Sequence, residues 1–154
     1  MKLTLSQSDK QGFSLVEILI TVMIIGILAA LAFPALKKAR HRSLATQLSN
    51  NFRVYAAAFQ VYSTEHGVWP DDTSPGVTPA ELEGQLPHFS EATHQGGVWD
   101  WDNGVAGIVA GVSLHQNGIE PQVIQRIDEI MDDGDLASGQ FQNKGGFITY
   151  ILEH

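Results

Sequence analysis

From Phe13 to Phe33 the chain reads FSLVEILITVMIIGILAALAF, 21 residues that are apolar at nearly every position and carry one charge, Glu17. At about 1.5 Å per residue, a helix of that length matches the roughly 30 Å hydrocarbon core of a bilayer. A helix apolar on all sides is either wrapped in lipid or buried at the centre of a large protein. The rest of this chain is too short to surround it, so the segment reads as membrane-spanning.

Past Pro34 the pattern changes without a break signal. Leu44, Leu48, Phe52, Tyr55, Phe59 and Tyr62 follow at intervals of 4, 4, 3, 4 and 3, one apolar stripe on a 3.6-residue helix. Gly67, with Pro70 close behind, predicts its end. If the two halves are continuous, the helix exceeds fifty residues, roughly 80 Å. Gly26 and Pro34 are its weak points, because proline removes a backbone hydrogen bond and crowds the preceding turn. A kink or local melting is predicted at Pro34.

Beyond Gly67, short strands and turns dominate. WPDDTSPGVTP reads as an irregular connection and PAELEGQLPHF as a helical turn or two. GGVWDWDNGVAGIVAGVSL predicts a strand, a turn over Asp102 to Gly104 and a second strand. Pro121 opens a short amphipathic helix carrying Val123, Ile124, Ile127, Ile130 and Met131, which ends before DDGD. FITYILE is a last strand. The predicted fold is α+β: a long N-terminal helix, membrane-spanning then amphipathic, packed on a small antiparallel β-sheet domain.

Charge divides along the same line. Residues 1–66 hold seven Lys/Arg against three Asp/Glu, and residues 67–154 hold two against fourteen, so the halves are +4 and −12. Such an acidic domain repels a phosphate backbone, and no direct nucleic-acid binding is expected. The basic cluster is Lys37, Lys38, Arg40 and Arg42. There is no cysteine, which excludes a disulfide framework, a thiol nucleophile and a Cys-based zinc site.

A secretory signal peptide is the rival reading of the apolar run, since Ala30, Leu31 and Ala32 form an A-x-A site that would release a chain starting at Phe33. Against it stand Pro34 two residues past that cut, Glu17 inside the run, and the helical pattern that continues onward. A positive-inside count would place the C-terminal domain in the cytoplasm, because the cations past the span outnumber Lys2 and Lys10 before it.

The stretch GFSLVEILITVMIIGILAALAFPALKKAR, a charged leader ending in glycine followed by an aromatic residue, a glutamate four positions on, an apolar helix and a proline, resembles the N-terminus of type IV prepilins and type II secretion pseudopilins. The likeness covers about thirty residues. It implies cleavage by a prepilin peptidase between Gly12 and Phe13, and N-methylation of Phe13. A glycine suits a scissile position because it presents no side chain to the peptidase. Glu17 is costly in lipid when alone, by up to about 3 kcal/mol at mid-bilayer. The resemblance gives it an assembly role: it neutralises the amino terminus of a neighbouring subunit as helices stack. The alternative for Glu17 is a carboxylate snorkelling to the interface.

The organisation so implied is a cleaved leader at 1–12, a transmembrane and filament-core helix at 13–34, its amphipathic continuation at 35–66 and an extracytoplasmic head at 67–154. The chain would lie in the bacterial inner membrane with its N-terminus cytoplasmic, reversing the positive-inside count, and later enter a pilus or pseudopilus. Its implied partners are the prepilin peptidase, other pilin or pseudopilin subunits, an inner-membrane assembly platform and membrane lipid. The missing cysteines depart from the many major pilins that close a C-terminal disulfide.

No cofactor is required by this reading. Major pseudopilins bind calcium through acidic loops, and in DDGD, downstream of Asp128, the ligands offered are the oxygens of Asp132, Asp133 and Asp135, though their spacing is not that of an EF-hand; a solvated helix-ending turn is the competing account. Trp99 and Trp101 share one face of a strand, as core beneath the long helix or as a platform for a sugar or partner. His66, His88, His94 and His115 show no metal-ligand spacing, and neither a Gly-x-Ser-x-Gly elbow nor a phosphate loop occurs, so no enzyme is expected. The alternative to a polymerising subunit is a membrane-anchored extracytoplasmic binding domain.

Overall fold

The computed structural model describes residues 13–115 and 118–154. Gly12 and the rest of the predicted leader lie outside the described residues. The chain divides into two compact units after Ala39.

Helix α1 (Leu15–His66) supplies the first unit and opens the second. The Ser14 carbonyl accepts from the amides of Glu17 and Ile18, closing the first turn. There the Glu17 charge also opposes the positive end of the helix dipole. Every large apolar side chain from Leu15 to Leu36 is at least 51% exposed. Within its own unit the segment is not buried, and it is long and apolar enough to cross a membrane. Pro34 sits within the helix, which continues on both sides of it without a melted turn. Lacking an N–H, Pro34 cannot bond the Ala30 carbonyl.

In the second unit α1 ends at His66 as predicted: Gly67 adopts φ +74 and its amide donates to the Ser63 carbonyl at 2.8 Å. This is the left-handed cap that glycine accepts without strain. After a 3-10 turn at Ala80–Leu82 come β1 (Val98–Asn103), β2 (Ala110–His115), α2 (Pro121–Met131), β3 (Phe141–Asn143) and β4 (Phe147–Glu153). The sheet is antiparallel throughout, in the order β1-β2-β4-β3.

The core forms where the helical stripe meets one sheet face. Leu48, Phe52, Tyr55 and Phe59 are buried against Trp99, Trp101, Val112, Leu114, Phe141 and Ile148, with Leu44 and Tyr62 half-buried at its margins. Phe59 stacks on Trp101 with centroids 3.7 Å apart, and Phe52 meets Trp99 and Phe141 edge-on at 4.8 and 5.3 Å. Each such pair contributes about 0.5–1.5 kcal/mol beyond its buried area. The Trp101 indole N–H donates to the Pro70 carbonyl at 3.1 Å. Both tryptophans are therefore core, and neither is available as a platform.

The opposite face of β1 and β2 is polar yet buried. Asp102 accepts from the Ser113 hydroxyl, and the Asp100 carboxylate lies 3.0 Å from His115 Nε2. Burial, then the neighbouring Asp102, raises the Asp100 carboxyl to about 6.

Two details depart from the predicted elements. The turn does not span Asp102 to Gly104: β1 runs on to Asn103, and residues 104–109 form the connection. Asn103 is held in the strand because its amide donates to Asp72 Oδ1 and its side chain to the Pro70 carbonyl. The short strand β3 was not predicted. Its three residues are too few to show an alternation, and it exists because β4 offers a free edge to Phe141, Gln142 and Asn143.

Candidate functional site

Two places concentrate the residues singled out from sequence. The first is the start of α1. Phe13 is 80% exposed just ahead of the helix. Glu17 lies in the first turn, where its Oε2 accepts from the Ser14 amide at 3.4 Å and its carbonyl accepts from the Thr21 hydroxyl at 2.7 Å. Among the described residues no cation pairs with Glu17. The result is an exposed apolar helix with one carboxylate close to its beginning, chemistry suited to a positive partner in a low-dielectric setting.

The second is the turn that closes α2. Helix periodicity points Val123, Ile124 and Ile127 into the core, and Asp128 follows them on the buried side. Asp128 has no exposed surface, and neither carboxylate oxygen has a hydrogen-bond partner among the described residues. Desolvation, then the charges of Asp133, Asp132 and Asp135, push its carboxyl up to about 6.

The chain next turns so that ligand oxygens of Asp128, Asp132 and Asp133 come within 4.8 Å of one another. Asp132 Oδ2 also accepts from the amides of Gln140 and Phe141, tying the returning chain to the helix end. Gly139 is required there, since it has φ +75 and a Cβ would collide with the Asp132 carboxylate. Asp135 is engaged differently: it accepts from the Ala137 amide at 3.1 Å and the Ser138 hydroxyl at 3.1 Å, closing its own turn. The structure thus groups Asp132 and Asp133 with Asp128 and leaves Asp135 outside the set.

Sequence reasoning noted Asp128 but did not place it among the ligands. The available signal was its spacing from Ile124 and Ile127, which puts a carboxylate on the apolar side of α2. Of the histidines, His115 pairs with Asp100 and His88 with Glu91 at 3.0 Å. The metal-compatible group found among the described residues contains no histidine.

A long N-terminal helix and a small four-stranded antiparallel sheet make a pilin-like α+β layout. Residues 7–33 match the family described as the prokaryotic N-terminal methylation motif. The chain is 36% identical over 76 residues to the fimbrial protein EcpC of Eikenella corrodens, covering 49% of this chain and 50% of that protein. It is 38% identical over 69 residues to the type IV major pilin protein PilE of Neisseria gonorrhoeae, covering 44% and 41%. With the type II secretion system core protein G of Pseudomonas aeruginosa it shares 30% over 66 residues, covering 43% and 46%. The chain thus spans about half the length of the relatives it matches. No solved structure gives a match.

Proposed function

We propose that this chain is a pilin-like or pseudopilin subunit that is processed by a prepilin peptidase and assembled into the helical filament of a type IV pilus or a type II secretion system. The observation that carries the reading is the methylation motif over residues 7–33, set on an exposed apolar helix with Glu17 in its first turn. In this reading the leader 1–12 is removed, Phe13 becomes the methylated amino terminus, and residues 13–34 hold the subunit in the inner membrane with the head at 67–154 outside. Its partners are the peptidase, other subunits, the assembly platform and lipid, and its role is structural. Intact mass and N-terminal sequencing of membrane-extracted protein test it. A mature chain starting at Phe13 is expected, and Gly12→Leu should leave the precursor uncut. A chain starting at Phe33 would establish a signal peptide instead.

A second reading concerns the acidic turn and is favoured by the orphaned Asp128 carboxylate. Asp128, Asp132 and Asp133 form an oxygen-only donor set, which suits a hard cation such as calcium. A cation would satisfy the buried charge and join the end of α2 to the turn. Trp69, Trp99 and Trp101 all lie in the head, so tryptophan fluorescence follows its unfolding. In detergent-solubilised full-length protein, calcium at a hundredfold excess over its dissociation constant should stabilise the head by about 2.7 kcal/mol. Asp128→Asn should abolish that gain and Asp135→Asn should retain it. No shift at millimolar calcium would reduce the site to a solvated turn.

A further inference from the structure

Immediately after Leu36, the last large apolar residue of the exposed run, come Lys37, Lys38, Arg40 and Arg42. Lys38, Arg40 and Arg42 are exposed. At about 100° per residue Arg40 and Arg42 lie about 160° apart around α1, so these charges do not form a single face. The cations elsewhere are few: residues 67–154 contain Arg126 and Lys144, and Arg126 pairs with Glu129. Arg53, further along α1, donates to the Ile130 carbonyl. The helix sequence carries no carboxylate between Glu17 and Glu65.

We propose that Lys38, Arg40 and Arg42 form a headgroup collar that selects anionic phospholipid around the end of the membrane span. This rests on the membrane-spanning reading of α1. On the side of His41 the head itself covers the helix, with Glu120 Oε1 3.2 Å from His41 Nε2; Arg40 and Arg42 are exposed on two other sides, which a headgroup layer reaches together and a protein partner on one face does not. The position is also right, because the cations begin where the hydrocarbon-compatible run stops. Each cation close to an anionic surface strengthens association by roughly fivefold at low salt, and the effect fades within a Debye length. The acidic head is repelled by the same surface. The collar therefore holds the end of the helix in the headgroups while the head is driven away from them, and the two opposed charges set the depth of the subunit before it leaves the bilayer.

The test uses full-length protein reconstituted in phosphatidylcholine bilayers, with spin-labelled phosphatidylglycerol or phosphatidylcholine as the probe of lipid held at the helix. For the wild type, phosphatidylglycerol should be retained over phosphatidylcholine by roughly threefold or more in low salt, with the preference shrinking in high salt. The K38Q/R40Q/R42Q variant should lose the preference, and R40K/R42K should keep it. Tryptophan fluorescence verifies that the head of each variant is folded.

Restricted lipid with no headgroup preference, or a preference unchanged in K38Q/R40Q/R42Q, would overturn the collar and leave the span intact. Absence of restricted lipid of either kind would overturn the span, and the collar with it. Equal retention of both lipids, together with self-association that only K38Q/R40Q/R42Q loses, would overturn the lipid assignment and give the cluster to the acidic head of a second copy.

Discussion

Glu17→Ala is expected to be cleaved, inserted and folded as the wild type is, yet to yield few or no filaments when co-expressed with its assembly machinery. Among the described residues, the Glu17 side chain accepts only from the Ser14 amide, and that contact lies outside the head. Its removal leaves the aromatic core of Phe52, Phe59, Trp99 and Trp101 untouched. What it removes is the one carboxylate of the apolar run from Phe13 to Phe33. Under the proposed processing, cleavage after Gly12 would create a positive amino terminus, and that charge and Glu17 would each be less costly in lipid beside an opposite charge than alone. In parallel helices offset along their axes, the partner belongs to a neighbour, so docking loses its attraction when the carboxylate is gone. Glu17→Asp should be intermediate because its reach is shorter. Shearing and counting filaments measures the effect. A wild-type yield from Glu17→Ala would remove the assembly role and favour a membrane anchor that does not polymerise.

In the presence of a chelator, the head should become more stable as pH falls from 7.5 to 5, the opposite of ordinary acid denaturation. Asp100 and Asp128 are both raised from 3.8 to about 6. The folded state therefore binds more protons than the unfolded state through this window, and stability falls as pH rises. The stabilisation is fully present below the unfolded value near 3.8 and is lost as pH rises through about 6. Each group should contribute about 1 kcal/mol between pH 7.5 and 5, from the proton-binding difference. Asp102 is shifted upward too, first by burial, and adds in the same direction.

Asp128→Asn should raise stability at pH 7.5 without calcium, because it removes a buried charge whose oxygens have no partner. Its amide can also donate toward the Asp132 and Asp133 carboxylates. The same variant should roughly halve the pH dependence, Asp100 and Asp102 supplying the rest, and lose the calcium response. Denaturant melts followed by tryptophan fluorescence at pH 5, 6 and 7.5 provide the comparison. A head that weakens steadily on acidification would contradict the inward placement of these aspartates.

These two expectations draw on different levels of information. The role proposed for Glu17 starts from the chain alone, because a charge in an apolar run is a local anomaly that needs no folding to be seen. The same holds for the helix stripe from Leu44 to Tyr62, its end at Gly67 and the limits of α2, all consequences of periodicity and of glycine and proline geometry. Trp99 and Trp101 were correctly paired on one face by strand alternation, but only packing against Phe52 and Phe59 chose core over platform. The extension of β1 to Asn103 depended on Asp72 and Pro70, some thirty residues away in the chain.

For the acidic turn, sequence proximity ranked Asp135 with Asp132 and Asp133. The tertiary structure instead brings an oxygen of Asp128 within 4.8 Å of Asp132 and Asp133, because Asp128 lies on the buried side of α2 beside that turn, while Asp135 closes its own turn onto Ala137 and Ser138. Likewise β3 has no sequence pattern of its own and arises from the open edge of β4. Sequence by itself thus determined what depends on spacing within one element: the membrane-length helix, its amphipathic extension and the carboxylate near its start. Tertiary structure alone decided which carboxylates lose water and which meet one another, since burial and convergence depend on residues that the chain keeps far apart.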